Sequence, residues 1–349
     1  MTTAIITNPI QAAHDESRHV ERAARMRAID AAMDRSGIRS ELLIMPARPA
    51  TDAEVRAVHQ PRLLETLRLS VAQERLWIDG DTYTTNESQE VAYYSAGAAI
   101  TATEAVLDGR AQNAFAITRP PGHHATPSRS MGFCLLNNIA IAARYAIDHY
   151  GIQRVAIIDY DVHHGNGTQD IFYDDPTVLF CSSHASPLYP GTGAEQEIGS
   201  GAGLGTTLNI PLPYGAGDRA VASVYEQVVI PALRRFKPEL ILVSAGFDGH
   251  WNDPLGPLAL SVHGYAALTK QIMDLAAECC AGRLVLSLEG GYNEEALGAS
   301  VVAVLRVLLG QPPGDDPLGP SGSREPEVQG LIERLLRRHP LLRAERMIQ

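Results

Sequence analysis

The stretch IIDYDVHHGNGTQD, residues 157–170, places two aspartates and two adjacent histidines directly behind a run of aliphatic residues. Asp159, Asp161 and His163 are two residues apart, so in extended backbone their side chains point the same way. A carboxylate and an imidazole at that spacing can bind one divalent cation, and a catalytic zinc usually has three protein ligands. Asp248 is the only acid at the exit of another aliphatic run, which makes it the best third ligand. Taken alone, this spacing is better explained by a solvated loop.

Two other polar clusters could supply acid–base and electrostatic chemistry. The motif RPPGHHATP carries His123 and His124, and EGGYN carries Tyr292 behind two glycines. A histidine close to an activated water can act as general base and then as general acid. A phenol at the mouth of a site can donate a hydrogen bond to a developing oxyanion. A structural histidine pair and a rim tyrosine are the alternatives when each motif is taken by itself.

Aliphatic runs of strand length precede these clusters. Strands are predicted at NAFAIT, VAIIDY, TVLFCS, ELILVSAG and RLVLSLEG, and helices at 137–149, 218–236, 263–279 and 294–309. Both faces of the runs are apolar, which is typical of parallel strands covered by helices on either side. The alternation predicts a single α/β domain with a mainly parallel central sheet. Because ligands bind beyond the carboxyl ends of such strands, we expect four loops to converge on one site.

Two segments differ from the rest in composition. Residues 183–217 are rich in glycine and proline with little periodicity, which predicts a long functional loop. Residues 310–326 are rich in proline, glycine and aspartate, which indicates a linker. We therefore divide the chain into a catalytic domain, 1–310, and a linker with a C-terminal amphipathic helix, 311–349. Such a helix usually packs on its own domain, and a role in homo-oligomerisation stays open.

Charge and composition narrow the class of protein. With 29 basic and 40 acidic residues, the net charge of -11 argues against binding nucleic acid or anionic membranes. The sequence has no window approaching the roughly 18 apolar residues of a membrane span. The four cysteines have no CxxC pair or disulfide-framework spacing and are expected to be reduced. These features together predict a cytoplasmic protein.

The motifs taken together resemble those of the histone deacetylase superfamily, which includes acetylpolyamine amidohydrolases and acetoin-utilisation proteins. The resemblance runs from about residue 14 to 309 and rests on RPPGHHA, GFCLLNN, DYDVHHGNGTQDIFY, YPGTG, SAGFDGHWNDPLG and LEGGYN. It implies the arginase-like α/β fold and a zinc-dependent amidohydrolase that removes acyl groups from amines. In that family zinc polarises the scissile carbonyl and acidifies water.

The resemblance also implies a role for individual residues. The zinc ligands would be Asp161, His163 and Asp248. The catalytic residues would be His124 as general base and Tyr292 as the group that polarises the carbonyl. His123 would be the partner histidine of His124, and Asp159 would interact electrostatically with His123. A structural potassium ion would be held by Asp159, Ser182 and the backbone carbonyls of Asp161, His163 and Ser183. The substrate-binding residues would be Gly132, Phe133, Tyr189, Leu255, Asp81, Gly290 and Gly291.

Two positions bear on rate and substrate. Asn166 stands where some relatives have an aspartate, and a neutral partner would make His124 a better base at neutral pH. Leu255 stands where polyamine-specific relatives have a glutamate, so acyl-lysine of proteins or peptides is the expected substrate. The alternatives are an acetylpolyamine or other small N-acyl metabolite, a catalytically silent acyl-lysine binding protein, and a two-manganese ureohydrolase. An Asp/His/Asp ligand set suits ferrous iron as well as zinc.

Overall fold

Eight strands form one sheet in the computed structural model, which describes residues 1–74 and 76–343. The strands are β1 (Thr3–Thr7), β2 (Leu43–Pro46), β3 (Asn113–Ala116), β4 (Val155–Asp159), β5 (Val178–Ala185), β6 (Thr207–Leu212), β7 (Leu240–Ala245) and β8 (Leu284–Leu288). Their order is β2-β1-β3-β8-β7-β4-β5-β6, and every neighbouring pair is parallel. The five predicted strands are β3, β4, β5, β7 and β8, and the predicted α/β fold with a parallel sheet is confirmed.

Eleven α-helices connect and cover the strands within the described residues. They are α1 (Ala24–Ser36), α2 (Asp52–Arg56), α3 (Pro61–Ala72), α4 (Ser88–Leu107), α5 (Asn138–Tyr150), α6 (Asn166–Phe172), α7 (Asp218–Val224), α8 (Ile230–Phe236), α9 (Val262–Cys280), α10 (Glu294–Leu308) and α11 (Gln329–Arg338). A π-helical turn at Tyr225–Val229 joins α7 to α8, so the predicted helix over 218–236 is continuous but irregular. The other three predicted helices correspond to α5, α9 and α10. None of the helices in the described part of the chain is long and apolar enough to cross a membrane.

Two apolar cores lie on opposite faces of the sheet. Ala156 and Ile158 of β4 contribute to the core that includes residues of α1, α9 and α10. Val155 and Ile157 of the same strand contribute to the core that includes residues of α4 and α5. Since successive side chains of a strand point to opposite faces, burial on both sides explains the uninterrupted aliphatic run. The two cores fix the position of the carboxyl end of β4, where the first polar cluster begins.

The prediction of a long loop over residues 183–217 is wrong in part. β5 extends to Ala185, and β6 occupies Thr207–Leu212 in the middle of the segment. Leu208, Ile210 and Leu212 are buried and alternate along β6 at the period of a strand. The glycine and proline content of the surrounding residues hid this short alternation. The chain between the two strands is a loop that includes one short 3₁₀ turn.

The C-terminal helix packs on the same domain as the sheet. Leu331, Ile332 and Leu335 of α11 are buried and belong to the core that contains α9 and α10. On its polar side, Arg334 and Arg338 form ion pairs with Glu195 in the loop between β5 and β6. The helix therefore adds to the main core. The division of the chain at residue 310 stays a prediction. The four cysteines are free, as expected.

Candidate active site

The four polar clusters lie together at the carboxyl ends of neighbouring strands. His123 follows β3, Asp161 follows β4, Asp248 follows β7 and Tyr292 follows β8. These strands are adjacent in the sheet, in the order β3-β8-β7-β4. The predicted convergence of four loops is what a parallel sheet imposes, because every strand ends at the same edge.

Three potential metal-ligand atoms lie close together, one each from Asp161, His163 and Asp248. One ligand atom from each residue lies within 4.8 Å of the others. Nδ1 of His163 is 3.1 Å from Oδ1 of Asp161 and 3.3 Å from Oδ2 of Asp248. Backbone N–H groups orient the carboxylates, since Gly290 donates to Oδ2 of Asp161 at 2.9 Å and Val162 to Oδ1 of Asp248 at 3.0 Å. Oδ2 of Asp248 is buried and accepts no hydrogen bond from the described residues.

Two glycines leave the room that these carboxylates occupy. A Cβ atom at Gly246 would lie 2.0 Å from Oδ2 of Asp161, and one at Gly290 would lie 2.0 Å from Oδ2 of Asp248. Such distances are far inside van der Waals contact. Any larger residue at either position would displace a ligand carboxylate.

The electrostatics of the cluster call for a positive charge. Burial and the neighbouring Asp161 raise the pKa of Asp248. Burial by itself would lower the pKa of His163, but the two neighbouring carboxylates outweigh burial and raise that pKa to about 10. Two buried carboxylates, an imidazole and an unpartnered carboxylate oxygen therefore fit a divalent cation such as zinc.

The adjacent histidines have different partners. Nδ1 of His123 is 3.0 Å from a carboxylate oxygen of Asp159, whereas Nδ1 of His124 is 2.8 Å from the amide oxygen of Asn166. Burial opposes the charged form of both. Asp159 and neighbouring acids nonetheless raise the pKa of His123 well above its usual value. The positive charges of His123 and His163 add to the effect of burial on His124 and lower its pKa. A proton is thus held on His123 while His124 stays neutral.

A narrow cavity of about 200 Å³ opens onto these residues. It is lined by Asp81, Pro121, His123, His124, Gly132, Phe133, His163, Tyr189, Leu255 and Tyr292. The Tyr189 ring lies 5.1 Å from the ring of His124, and the Phe133 ring lies edge-on to Tyr292 at 5.8 Å. A Cβ at Gly132, which has φ +57°, would lie 2.5 Å from Cδ2 of His124, so only glycine fits beside this histidine. A larger cavity of about 760 Å³ lies at the opposite edge of the sheet, and none of Asp161, His163 and Asp248 lines it.

The remaining predicted residues lie behind the cavity. Asp159 of β4 pairs in register with Ser182 of β5, and the hydroxyl of Ser183 donates to the Asp159 carbonyl at 3.4 Å. Gly290 and Gly291 do not line the cavity but form the backbone beneath the aspartates and before Tyr292. The structure therefore places these five residues beside the site rather than in its wall.

Sequence reasoning missed Glu289 beside the site and misjudged two other residues. Pro121, considered only as a residue that stiffens the approach to the histidines, lines the cavity. Glu289, in the motif LEGGYN, is buried, and its Oε2 accepts the backbone N–H groups of Gly122 at 2.6 Å and His123 at 3.1 Å. Arg25, in the segment HVERAARM that resembles the family pattern only loosely, is buried near Tyr292, with its guanidinium 4.9 Å from the phenol ring. A glutamate beside the double glycine was the one signal in the sequence that could have drawn attention to Glu289.

Comparison with known proteins decides the family. The model of the histone deacetylase domain matches residues 19–308, which is most of the chain. The chain belongs to the histone deacetylase family. It is therefore a hydrolytic deacetylase that binds an acylated substrate, and enzymes of this family are generally metal-dependent.

Individual relatives agree with this membership. The deacetylase is 42% identical over 316 residues to histone deacetylase 10, chloroplastic, of Oryza sativa subsp. japonica, covering 86% of this chain and 71% of the relative. It is 39% identical over 303 residues to a histone deacetylase-like amidohydrolase of Pseudomonas aeruginosa, covering 86% and 78%. The crystal structure of the HDA15 HD domain superposes with a TM-score of 0.86 at 35% identity and covers 96% of this chain and 93% of that domain.

Proposed function

We propose that this deacetylase uses a divalent metal ion, zinc, to hydrolyse the N-ε-acyl group of lysine in proteins or peptides. The observation that carries the proposal is the convergence of Asp161, His163 and Asp248 within 4.8 Å, beside a cavity that His124 and Tyr292 line. Three ligands at one side of a cavity leave a further position for water and substrate, as catalytic zinc sites do. When bound, the ion supplies Lewis-acid polarisation of a carbonyl and acidification of water.

His124 is the group that takes the proton from the attacking water. Its Nδ1 bonds the oxygen of Asn166 and so carries the hydrogen, which leaves Nε2 as the free acceptor. The neutral amide gives no charge stabilisation to an imidazolium, and the lowered pKa keeps His124 unprotonated at neutral pH. His123, paired with Asp159, keeps its proton throughout. The proton that His124 receives then passes to the leaving amine.

Tyr292 donates the hydrogen bond that stabilises the tetrahedral oxyanion. Burial raises the pKa of its phenol well above the usual value, so the hydroxyl is protonated at neutral pH. The contact between its ring and Phe133 places the phenol in the wall of the cavity. A donor held in place before the reaction stabilises developing charge without reorganisation.

The shape and charge of the cavity favour acyl-lysine. Phe133 and Tyr189 present two aromatic walls, which suit the aliphatic stem of a lysine side chain. Asp81, at the same cavity, offers a carboxylate to the backbone N–H groups of a peptide. Leu255 offers no carboxylate to the second ammonium of an acetylpolyamine. We also propose that a potassium ion is held by Asp159, Ser182 and nearby carbonyls, as the resemblance implies.

A panel of substrates tests this function. We expect the kcat/KM of an acetyl-lysine peptide to exceed that of N-acetylputrescine or N-acetylspermidine by at least ~10-fold. The reason is that the second ammonium of the polyamine finds no carboxylate at Leu255. Leu255→Glu should lower or reverse this preference for the peptide. Leu255→Gln, whose side chain is as long as glutamate but uncharged, should leave the preference unchanged. Metal analysis should find one zinc or iron ion per chain. A wild-type enzyme that prefers the acetylpolyamines would contradict the assignment to lysine.

A further inference from the structure

The position of the Tyr292 phenol is not fixed by its own backbone. The residue follows Gly290 and Gly291, and Gly291 has φ +118°, a conformation that residues with a side chain rarely adopt. Two successive glycines give the chain more conformational freedom than any other pair of residues. The loop after β8 must therefore be held by contacts with other parts of the molecule.

Nε of Arg25 donates one such contact, to the carbonyl of Gly291 at 2.7 Å, and Asp253 supplies further contacts from the loop after β7. Its Oδ2 accepts the backbone N–H of Tyr292 at 2.7 Å and that of Asn293 at 3.0 Å. Its Oδ1 accepts the backbone N–H of Leu255 at 2.9 Å. A fourth bond, from Nδ2 of Asn293 to the carbonyl of Asn252 at 2.9 Å, joins the same two loops.

The carboxylate thus connects two residues of the cavity wall that lie in the loops after different strands. Tyr292 and Leu255 both line the cavity. They are far apart in sequence, and neither lies in a strand of the sheet. Asp253 is only 9% exposed, so water does not compete effectively for these hydrogen bonds.

We propose that Asp253 is a positioning residue, which holds Tyr292 where its phenol meets the oxyanion and holds Leu255 at the same wall. The proposal rests on the proposed function, because it assumes that the Tyr292 hydroxyl acts in the reaction. Asp253 itself does not line the cavity and touches no reacting atom. A displacement of about 1 Å in a catalytic group can cost on the order of 100-fold in rate, which sets the size of the expected effect.

A double-mutant cycle separates this role from a merely structural one. Asp253→Ala is made in the wild type and in Tyr292→Phe, and kcat and KM are measured with an acetyl-lysine peptide. We expect Asp253→Ala to lower kcat by about 10- to 100-fold in the wild type and by less than about threefold in Tyr292→Phe, since the phenol is already absent there. An equal loss in both backgrounds, or no loss in the wild type, overturns the proposal.

Controls keep folding and chemistry apart. Asp175→Asn alters a carboxylate that likewise accepts a backbone N–H, from Thr177 at 2.8 Å, but at the amino end of β5. It should lower the melting temperature without lowering kcat. If Asp253→Ala does not fold, Asp253→Ser is carried through the same cycle. A Tyr292→Phe enzyme with full rate overturns both the proposed function and this inference, whereas a slow Tyr292→Phe with an additive Asp253→Ala overturns the inference alone.

Discussion

Nδ1 of His124 lies 2.8 Å from the side-chain oxygen of Asn166, so this histidine of the cavity wall is hydrogen-bonded to a neutral amide. The neighbouring His123 is instead 3.0 Å from the carboxylate of Asp159. The two histidines are adjacent in sequence and their rings are 4.0 Å apart, yet their pKa values move in opposite directions. The carboxylate of Asp159 helps to hold a proton on His123, whereas burial and the charges of His123 and His163 leave His124 free to accept one.

Asn166→Asp should change the pH dependence of the deacetylase in a defined direction. A carboxylate at this position would stabilise the imidazolium of His124 and raise its pKa by about one unit or more. Since a general base must be unprotonated, the acid limb of the kcat/KM profile should move to higher pH by a similar amount. Asn86→Asp adds the same charge at an exposed position and should leave the limb where it is. A limb that stays in place or moves to lower pH in Asn166→Asp would exclude His124 as the base.

Asp248→Asn should stabilise the metal-free protein and abolish its response to zinc. Asp248 and Asp161 are buried next to each other, and burial together with this like charge raises the pKa of Asp248. Above that pKa the ionised pair destabilises the metal-free fold, so a neutral amide should raise its melting temperature by about 2 °C. Zinc should raise the melting temperature of the wild type by mass action, but not that of the variant.

The control for that experiment is Asp174→Asn, which removes one charge from an exposed residue. It should melt like the wild type with and without zinc. Calorimetry of the three proteins, each stripped of metal and then titrated with zinc, gives the comparison. Two results would contradict a metal site at this cluster. One is a metal-free Asp248→Asn protein that melts below the metal-free wild type, and the other is a rise in its melting temperature with zinc as large as that of the wild type.

His59 should make the fold sensitive to acid. Its Nε2 accepts the backbone N–H of Asn137 at 2.9 Å and its Nδ1 is 3.0 Å from the Thr126 carbonyl, an arrangement that needs the neutral ring. Burial lowers the pKa of His59 to about 4, so its contribution to stability is full above the unfolded value of 6.5 and is lost as pH falls from there through 4.

His59→Gln isolates this effect, because glutamine can make both hydrogen bonds and does not titrate. Between pH 7.5 and pH 5, the wild type should lose about 2 kcal/mol more of its free energy of unfolding than the variant does. Urea unfolding at the two pH values measures the difference. His149→Gln, at an exposed position, should behave like the wild type. Equal losses in wild type and His59→Gln would show that this ring does not titrate on unfolding.

The sequence predicts those parts of the fold in which one strong pattern dominates. β4 and β7 are readable because both of their faces are buried, which makes their apolar runs continuous. β6 was missed because its alternation is short and surrounded by glycine and proline. No element was predicted before residue 113. The longest helix of that region, α4, could not be predicted because it is buried over most of its surface and lacks the polar face that marks an amphipathic helix.

The candidate site shows the same division. Asp161 and His163 could be picked out because they are two residues apart at the end of a strand. The resemblance to a family supplied the cavity walls, Phe133 and Tyr189, which no spacing indicates. Glu289 and Asp253 were missed because their effect depends on which backbone N–H groups meet them in three dimensions. Such contacts join loops that are far apart in sequence and leave no periodic signal.

The most direct test of the account is the rate of acetate release from an acetyl-lysine peptide by Tyr292→Phe, with metal content measured on the same sample. Phenylalanine keeps the ring packed against Phe133 and removes only the hydroxyl. We predict that kcat falls by at least ~100-fold, the usual scale for one oxyanion donor, while each chain still binds one metal ion. A variant that binds the metal and turns over at nearly the wild-type rate would contradict the assignment of this site.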